Sequence, residues 1–257
     1  MRYINLNTRA ALLAPAAFIM LTALPVLASE SDNRIEASAK SSYNFKTYLK
    51  DDKIKIESTE GMVTLTGTVS QEFHKALAEE TVSGLPGVKS VSNQILVIGD
   101  QPAEHSDAWI TMKVKTVLAF HKNVSATNTE VTTLNGMVTL TGKADSEAQK
   151  QLTGEYAKDV DGVNSVRNDL DISVPVKHAK ESLGENVDDT SITAQIKTTL
   201  LFHKSTHSLA TKVVTRRGVV TLHGEAKNGA EKELVTKLAE DIKGVKHVNN
   251  KMTVRPS

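Results

Sequence analysis

The chain has 257 residues, 31 basic and 30 acidic side chains, a formal charge of +1, one tryptophan and no cysteine. The absence of cysteine excludes disulfides, a thiolate nucleophile and cysteine-ligated zinc or iron–sulfur centres. Residues 1–28 read as a signal peptide. Arg2 and Arg9 are their only charges, Ala10 to Leu27 is nearly all apolar around Pro15 and Pro25, and Val26-Leu27-Ala28 puts small residues at a cleavage site before the polar Ser29-Glu30-Ser31-Asp32. An uncleaved anchor is the competing reading, which the two prolines and the cleavage site disfavour. No cysteine follows the apolar run, so the expected product is an exported periplasmic protein and not a lipoprotein.

A heptapeptide then occurs three times: GMVTLTG from Gly61, GMVTLTG from Gly136 and GVVTLHG from Gly218. Each copy is followed, 26 residues on, by a second signal: GVKSVSN from Gly87, GVNSVRN from Gly162 and GVKHVNN from Gly244. Two landmarks held in register three times mean one unit used three times. In the heptapeptide Val63 and Leu65, Val138 and Leu140, Val220 and Leu222 alternate with polar residues, as in a strand with one buried face.

In chain order, repeat one spans 33–98 and opens on a short helix with Tyr43, Phe45, Tyr48 and Leu49 as its apolar stripe. That reading leaves it about six residues shorter than its sisters before the first strand. Ile54 and Ile56 mark that strand. Glu60-Gly61 turns the chain, as Asn135-Gly136 does in repeat two, the strongest short-range hairpin signal. Gly61, Gly136 and Gly218 are assigned to these turns. A helix follows through Phe73, Leu77 and Leu85, matched by Ala148, Leu152 and Val160, then by Ala230, Leu234 and Ile242. Gly87, Gly162 and Gly244 are assigned as its C-terminal caps. A third strand carries Ile95 and Val97, Leu170 and Ile172, Met252 and Val254. Repeats two (105–174) and three (186–255) show the first helix more clearly. Asp107, Ile110, Val114 and Leu118 match Asp189, Ile192, Ile196 and Leu200, with each aspartate as N-cap. The fold class is α+β: three tandem small domains, each helix–strand–strand–helix–strand. Each has a three-stranded mixed sheet covered on one face by two helices. Short polar linkers, Gly99 to Glu104 and Pro175 to Glu185, predict three beads without a common core, and residues 186–257 folding alone.

This element order, the G-Φ-V-T-L-x-G strand and the G-V-x-x-V-x-N signal resemble the BON domain (bacterial OsmY and nodulation). The resemblance covers nearly all of the chain after the signal peptide. It implies a non-enzymatic periplasmic or envelope protein, induced by osmotic or other envelope stress, that associates with phospholipid or envelope proteins. No cofactor and no nucleic-acid partner is expected, and the oligomeric state is open. A soluble ATP-independent periplasmic chaperone is the alternative.

The residues offer no catalytic constellation. His203 and His207 stand four apart, and Phe-His-Lys occurs at 120–122 and 202–204, but these lie at a helix end, where His and Lys suit the helix dipole. Charge separates the repeats. Repeat three has twelve basic against seven acidic residues, whereas repeat one has eight of each and repeat two seven against nine. With strand three parallel to strand two, the Arg217-Gly218 turn and the end of the second helix meet at one edge. Arg216, Arg217, Lys243 and Lys246 converge there as a candidate lipid-facing patch, or simply as a solvated edge. Trp109, one residue off the first-helix stripe of repeat two, is the rival lipid contact or a packing residue at the stripe's margin.

Overall fold

The computed structural model describes residues 30–99, 102–173, 186–206 and 211–255. The signal-peptide segment, the 175–185 linker and His207 lie outside them, and so do the expectations placed there. Repeat one comprises α1 (Glu30–Ser41), α2 (Tyr43–Thr47), β1 (Lys53–Thr59), β2 (Met62–Val69), α3 (Glu72–Ser83), β3 (Ser90–Asn93) and β4 (Leu96–Val97). Repeat two comprises α4 (Asp107–Phe120), a 3-10 turn (Ala126–Asn128), β5 (Thr129–Leu134), β6 (Met137–Ala144), α5 (Glu147–Lys158) and β7 (Ser165–Ile172). Repeat three comprises α6 (Asp189–Phe202), β8 (Thr211–Arg216), β9 (Val219–Ala226), α7 (Gly229–Glu240), β10 (His247–Asn250) and β11 (Thr253–Val254).

The heptapeptide strands β2, β6 and β9 are the central strands of the three sheets. Each pairs antiparallel with the strand before it and parallel with the strand after the second helix. Val63, Leu65, Val138, Leu140, Val220 and Leu222 are buried under the helices, as the alternation requires. Glu60, Asn135 and Arg217 have positive φ and each precedes a positive-φ glycine, the geometry of a tight hairpin turn. The heptapeptide's second glycine answers a close approach: a Cβ on Gly142 would stand 2.0 Å from the Asn128 carbonyl oxygen. The asparagine ending the second signal ties strand to helix. The Asn93, Asn168 and Asn250 Nδ2 groups donate to the carbonyls of Lys75, Lys150 and Lys232.

Three expectations are corrected. First, the opening helix of repeat one is not short. It begins at Glu30 and is only interrupted at Ser42, so Asp32, Ile35 and Ala39 align with Asp107, Ile110 and Val114. Its sequence is polar except for Ile35 and two alanines, which hides the stripe. Second, the aspartates are not N-caps. Ser106 and Asp188 hold that place, while Asp107 and Asp189 stand one residue inside the helix. Their carboxylates accept the N–H groups of the hairpin turn, from Asn135 (2.7 Å) and Gly136 (2.8 Å) to Asp107 and from Arg217 (2.6 Å) and Gly218 (2.8 Å) to Asp189. Asp32 does the same for Glu60 and Gly61. Asp107→Ala is therefore expected to cost about 1–3 kcal/mol by urea melt and to broaden the Asn135 and Gly136 amide resonances. Third, Gly87, Gly162 and Gly244 do not cap the second helices, which end at the C-caps Gly84, Asp159 and Asp241. They take positive φ further along, where a Cβ would press on the first helix: Gly162 on Ile110 at 3.0 Å, Gly244 on Ile192 at 3.0 Å.

The repeats are not separate beads. Repeats one and three share one hydrophobic core, in which Ile35, Leu77 and Ile95 lie with Ile192, Leu222 and Ile242. Polar contacts line this junction. Asn44, fully buried, accepts from Gln195 Nε2 (2.8 Å) and donates its N–H to Ser191 Oγ (3.1 Å), and Lys197 pairs with Glu80 at 2.5 Å. Burial works to raise the Asp188 carboxyl here. Hydrogen bonds from Thr190, the Tyr43 N–H and Ser191 outweigh it and hold the group below its ordinary range.

Repeats two and three meet at a reciprocal seam. Where α4 ends, Lys122 N–H donates to the Asp241 carbonyl and Lys243 N–H to that of Phe120. Where α6 ends, Lys204 N–H donates to Asp159 and Asp161 N–H to Phe202. Each contact is its partner's image at an offset of 82 residues. Phe120 is thereby buried in the core of repeats one and three, and Phe202 in that of repeat two.

Candidate functional site

The basic edge of repeat three is built by strand register. β10 runs parallel to β9 with His247 beside Val219, which brings Lys246 to the Arg217-Gly218 turn. Lys246 N–H donates to the Gly218 carbonyl at 2.9 Å, and its stem lies 3.1 Å from where a Gly218 Cβ would stand. Arg216, Arg217 and Lys246 are exposed. Lys243 is not equivalent to them. It is half-buried in the seam with repeat two, its N–H engaged by Phe120, so three of the four expected residues share the edge. Asp189 stands under the same turn and offsets part of its charge.

The structure extends this edge over the outer face of the sheet. Arg216 pairs with Val219, which pairs with His247, and Lys212 pairs with His223, beyond which Lys251 follows on the neighbouring segment. Lys212, His223, His247 and Lys251 are exposed. The same places hold Leu134, Met137, Ser165, Glu130, Thr141 and Asp169 in repeat two, and Thr59, Met62, Ser90, Lys55, Thr66 and Gln94 in repeat one. One scaffold thus presents its most basic face in repeat three, where repeat one has Lys55 and Lys89 and repeat two no cation at these places. The signal for Lys212 and His223 was in the alternation of the strands, and that for His247 and Lys251 in the parallel register of strand three.

Trp109 is half-buried against the core of repeat two. The Lys113 ammonium lies 3.7 Å from the centre of its ring and 5.1 Å from that of Phe202, and Lys113 itself is 5 % exposed. Burial pushes the Lys113 ammonium below its usual pKa, against the pull of Asp161 at 3.3 Å. The indole is a packing and cation-binding group.

The histidines pair with carboxylates one at a time: His74 with Asp52 (2.6 Å), His121 with Asp241 (3.1 Å) and His203 with Asp159 (3.3 Å). Among the described residues no group of three or more His, Asp or Glu side chains is placed to hold a metal ion. No described helix is long and apolar enough to cross a membrane.

The BON domain profile matches residues 31–99, 106–173 and 188–256. The chain is 32% identical over 204 residues to the osmotically-inducible protein Y of Escherichia coli, covering 79% of this chain and 98% of that one. It is 30% identical over 125 residues to the outer membrane lipoprotein DolP of Haemophilus influenzae, covering 46% of this chain and 64% of the relative. It is also 33% identical over 117 residues to a 21 kDa hemolysin of Actinobacillus pleuropneumoniae, 44% of this chain and 59% of that one.

Proposed function

This chain belongs to the BON domain family, and on that premise we propose that it is a non-enzymatic periplasmic protein of the osmotic or envelope stress response, which associates weakly with anionic phospholipid through repeat three. Similarity to an osmotically inducible protein and to an outer membrane lipoprotein supports the setting. The observation that carries the site is the comparison of the three outer faces, alike in backbone and most basic in repeat three. Arg216, Arg217, Lys246, Lys212 and Lys251 each contribute about 1 kcal/mol near an anionic surface. Their sum of about 5 kcal/mol, reduced by Asp189, corresponds to dissociation constants near the millimolar range. Such binding is transient and is weakened by salt.

Co-pelleting with vesicles tests the reading. Wild-type protein is expected to sediment with anionic vesicles at low salt and to be released at high salt. The pair Arg216→Glu and Arg217→Glu is expected to abolish sedimentation without unfolding, because the turn is held through its backbone N–H groups. A blue shift of Trp109 emission on adding anionic vesicles, unchanged by the two substitutions, would move the contact to repeat two.

A chaperone reading is favoured by one separate observation. Met62, Leu96 and Ile98 of repeat one are more than half exposed, and apolar side chains on an open sheet suit an unfolded segment. Suppression of client aggregation that survives the Arg-to-Glu pair and is lost on Leu96→Ser would establish it.

A further inference from the structure

The reciprocal seam carries an inference that does not rest on the lipid reading. His121 is fully buried and stacks on Tyr156 at 3.8 Å. Its Nδ1 faces Asp241 Oδ2, so the N–H there donates to the carboxylate. Its Nε2 is buried without a hydrogen-bond partner. Asp241, 5 % exposed, also accepts from the Tyr156 hydroxyl (2.7 Å) and from Asn123, so its charge is already divided among three donors of repeat two. Across the seam His203 Nδ1 accepts the Ser205 N–H at 3.2 Å, which leaves its Nε2–H to face Asp159. The His121 imidazole is thus set in place as a neutral ring. A second proton on His121 enters a dry site that has no acceptor.

The surrounding charges add to the effect. Lys122 donates to the Glu240 carbonyl (2.5 Å) beside His121, and Lys204 to the Lys158 carbonyl (2.6 Å) beside His203. Lys113 with Asp161 lies against Phe202. Protonating the His121 ring therefore adds a positive charge to a seam already flanked by Lys122, Lys204, Lys158 and Lys243, against Asp241 and Asp159.

We propose that the seam between repeats two and three is an acid-sensitive latch, closed at neutral pH and parted by protonation of His121, while repeats one and three stay joined. Burial holds the His121 ring below the ordinary histidine pKa, with His203 and Lys122 acting in the same direction and Asp241 against it. The sign follows from linkage. The open form binds more protons below about pH 6.5, so the closed form has its full advantage above that pH and loses it as pH falls. His121 can shift the open-to-closed ratio by up to about tenfold per pH unit.

Small-angle scattering on the full exported chain from pH 7.5 to pH 5 tests this. The radius of gyration is expected to rise with far-UV circular dichroism unchanged. Trp109 emission is expected to shift as Phe202 leaves, and the midpoint to coincide with the His121 titration followed by NMR. His121→Asn retains a donor toward Asp241 but cannot titrate, and should stay closed at pH 5. An unchanged radius in the wild type overturns the latch. So does opening in the His121→Asn variant at the wild-type midpoint, or opening only below about pH 4.5, where carboxylates titrate. If the variant fails to fold at pH 7.5, the wild-type scattering and NMR midpoints decide between the same outcomes.

Discussion

A fragment of residues 186–257 cut from the chain is expected to lose most of its folding stability instead of persisting as an independent unit. α6 is the reason. Nine of its fourteen residues are buried, including Ser191 and Gln195, which hydrogen-bond with Asn44 of repeat one. Excision exposes that surface, strips Gln195 of Asn44 and removes Phe120 from the shared core. Loss of a buried phenylalanine alone corresponds to about 3–5 kcal/mol. A domain of this size has little more than that to lose. The fragment should give a poorly dispersed amide spectrum or associate with itself. A monomeric, well-dispersed spectrum with a urea midpoint equal to that of the whole chain would restore the bead picture.

Leu222→Ala is expected to cost about 2–5 kcal/mol. Leu222 is fully buried on the central strand of repeat three, opposite Val213, and belongs to the core shared with repeat one. The same urea shift should therefore appear in amide probes of both repeats, Ile56 as well as Val220. Probes in repeat two should move less, since its core is bounded separately. A shift confined to repeat three would mean that the shared core does not act as one unit.

The unit itself was legible. Alternation in the heptapeptide marked the buried strand face, the paired glycine turns marked the hairpins, and the right-handed crossover required strand three to lie parallel to strand two. Periodicity failed at Glu30–Ser41, where a helix buries little more than Ile35 and Ala39. The glycines at 87, 162 and 244 were assigned to helix ends because positive φ and close packing call for the same residue, and only the structure tells which applies. The shared core was invisible for a different reason. Asn44, Ser191, Gln195 and Thr199 are polar, and a polar residue on a helix reads as solvent-facing until its partner is found. Phe-His-Lys was visible twice, and the dipole account gave it a local role. Its partners Asp159 and Asp241 lie in another repeat, a distance that spacing within one repeat does not convey.

The seam between repeats two and three has the geometry of a homodimer contact written into a single polypeptide. Tethering puts the two faces at an effective concentration on the order of millimolar. A contact too weak to join two free molecules therefore stays closed here, at any dilution of the protein. The same tether binds the two halves as sequences. A change at Phe120 is felt in the core of repeats one and three, and a change at Phe202 in that of repeat two. Each half is thus held to the shape of the other. Repeat one, with Phe45, Lys46 and Gly84 at the corresponding places, has no such image of its own and meets the seam through Tyr48, whose ring lies against Phe120.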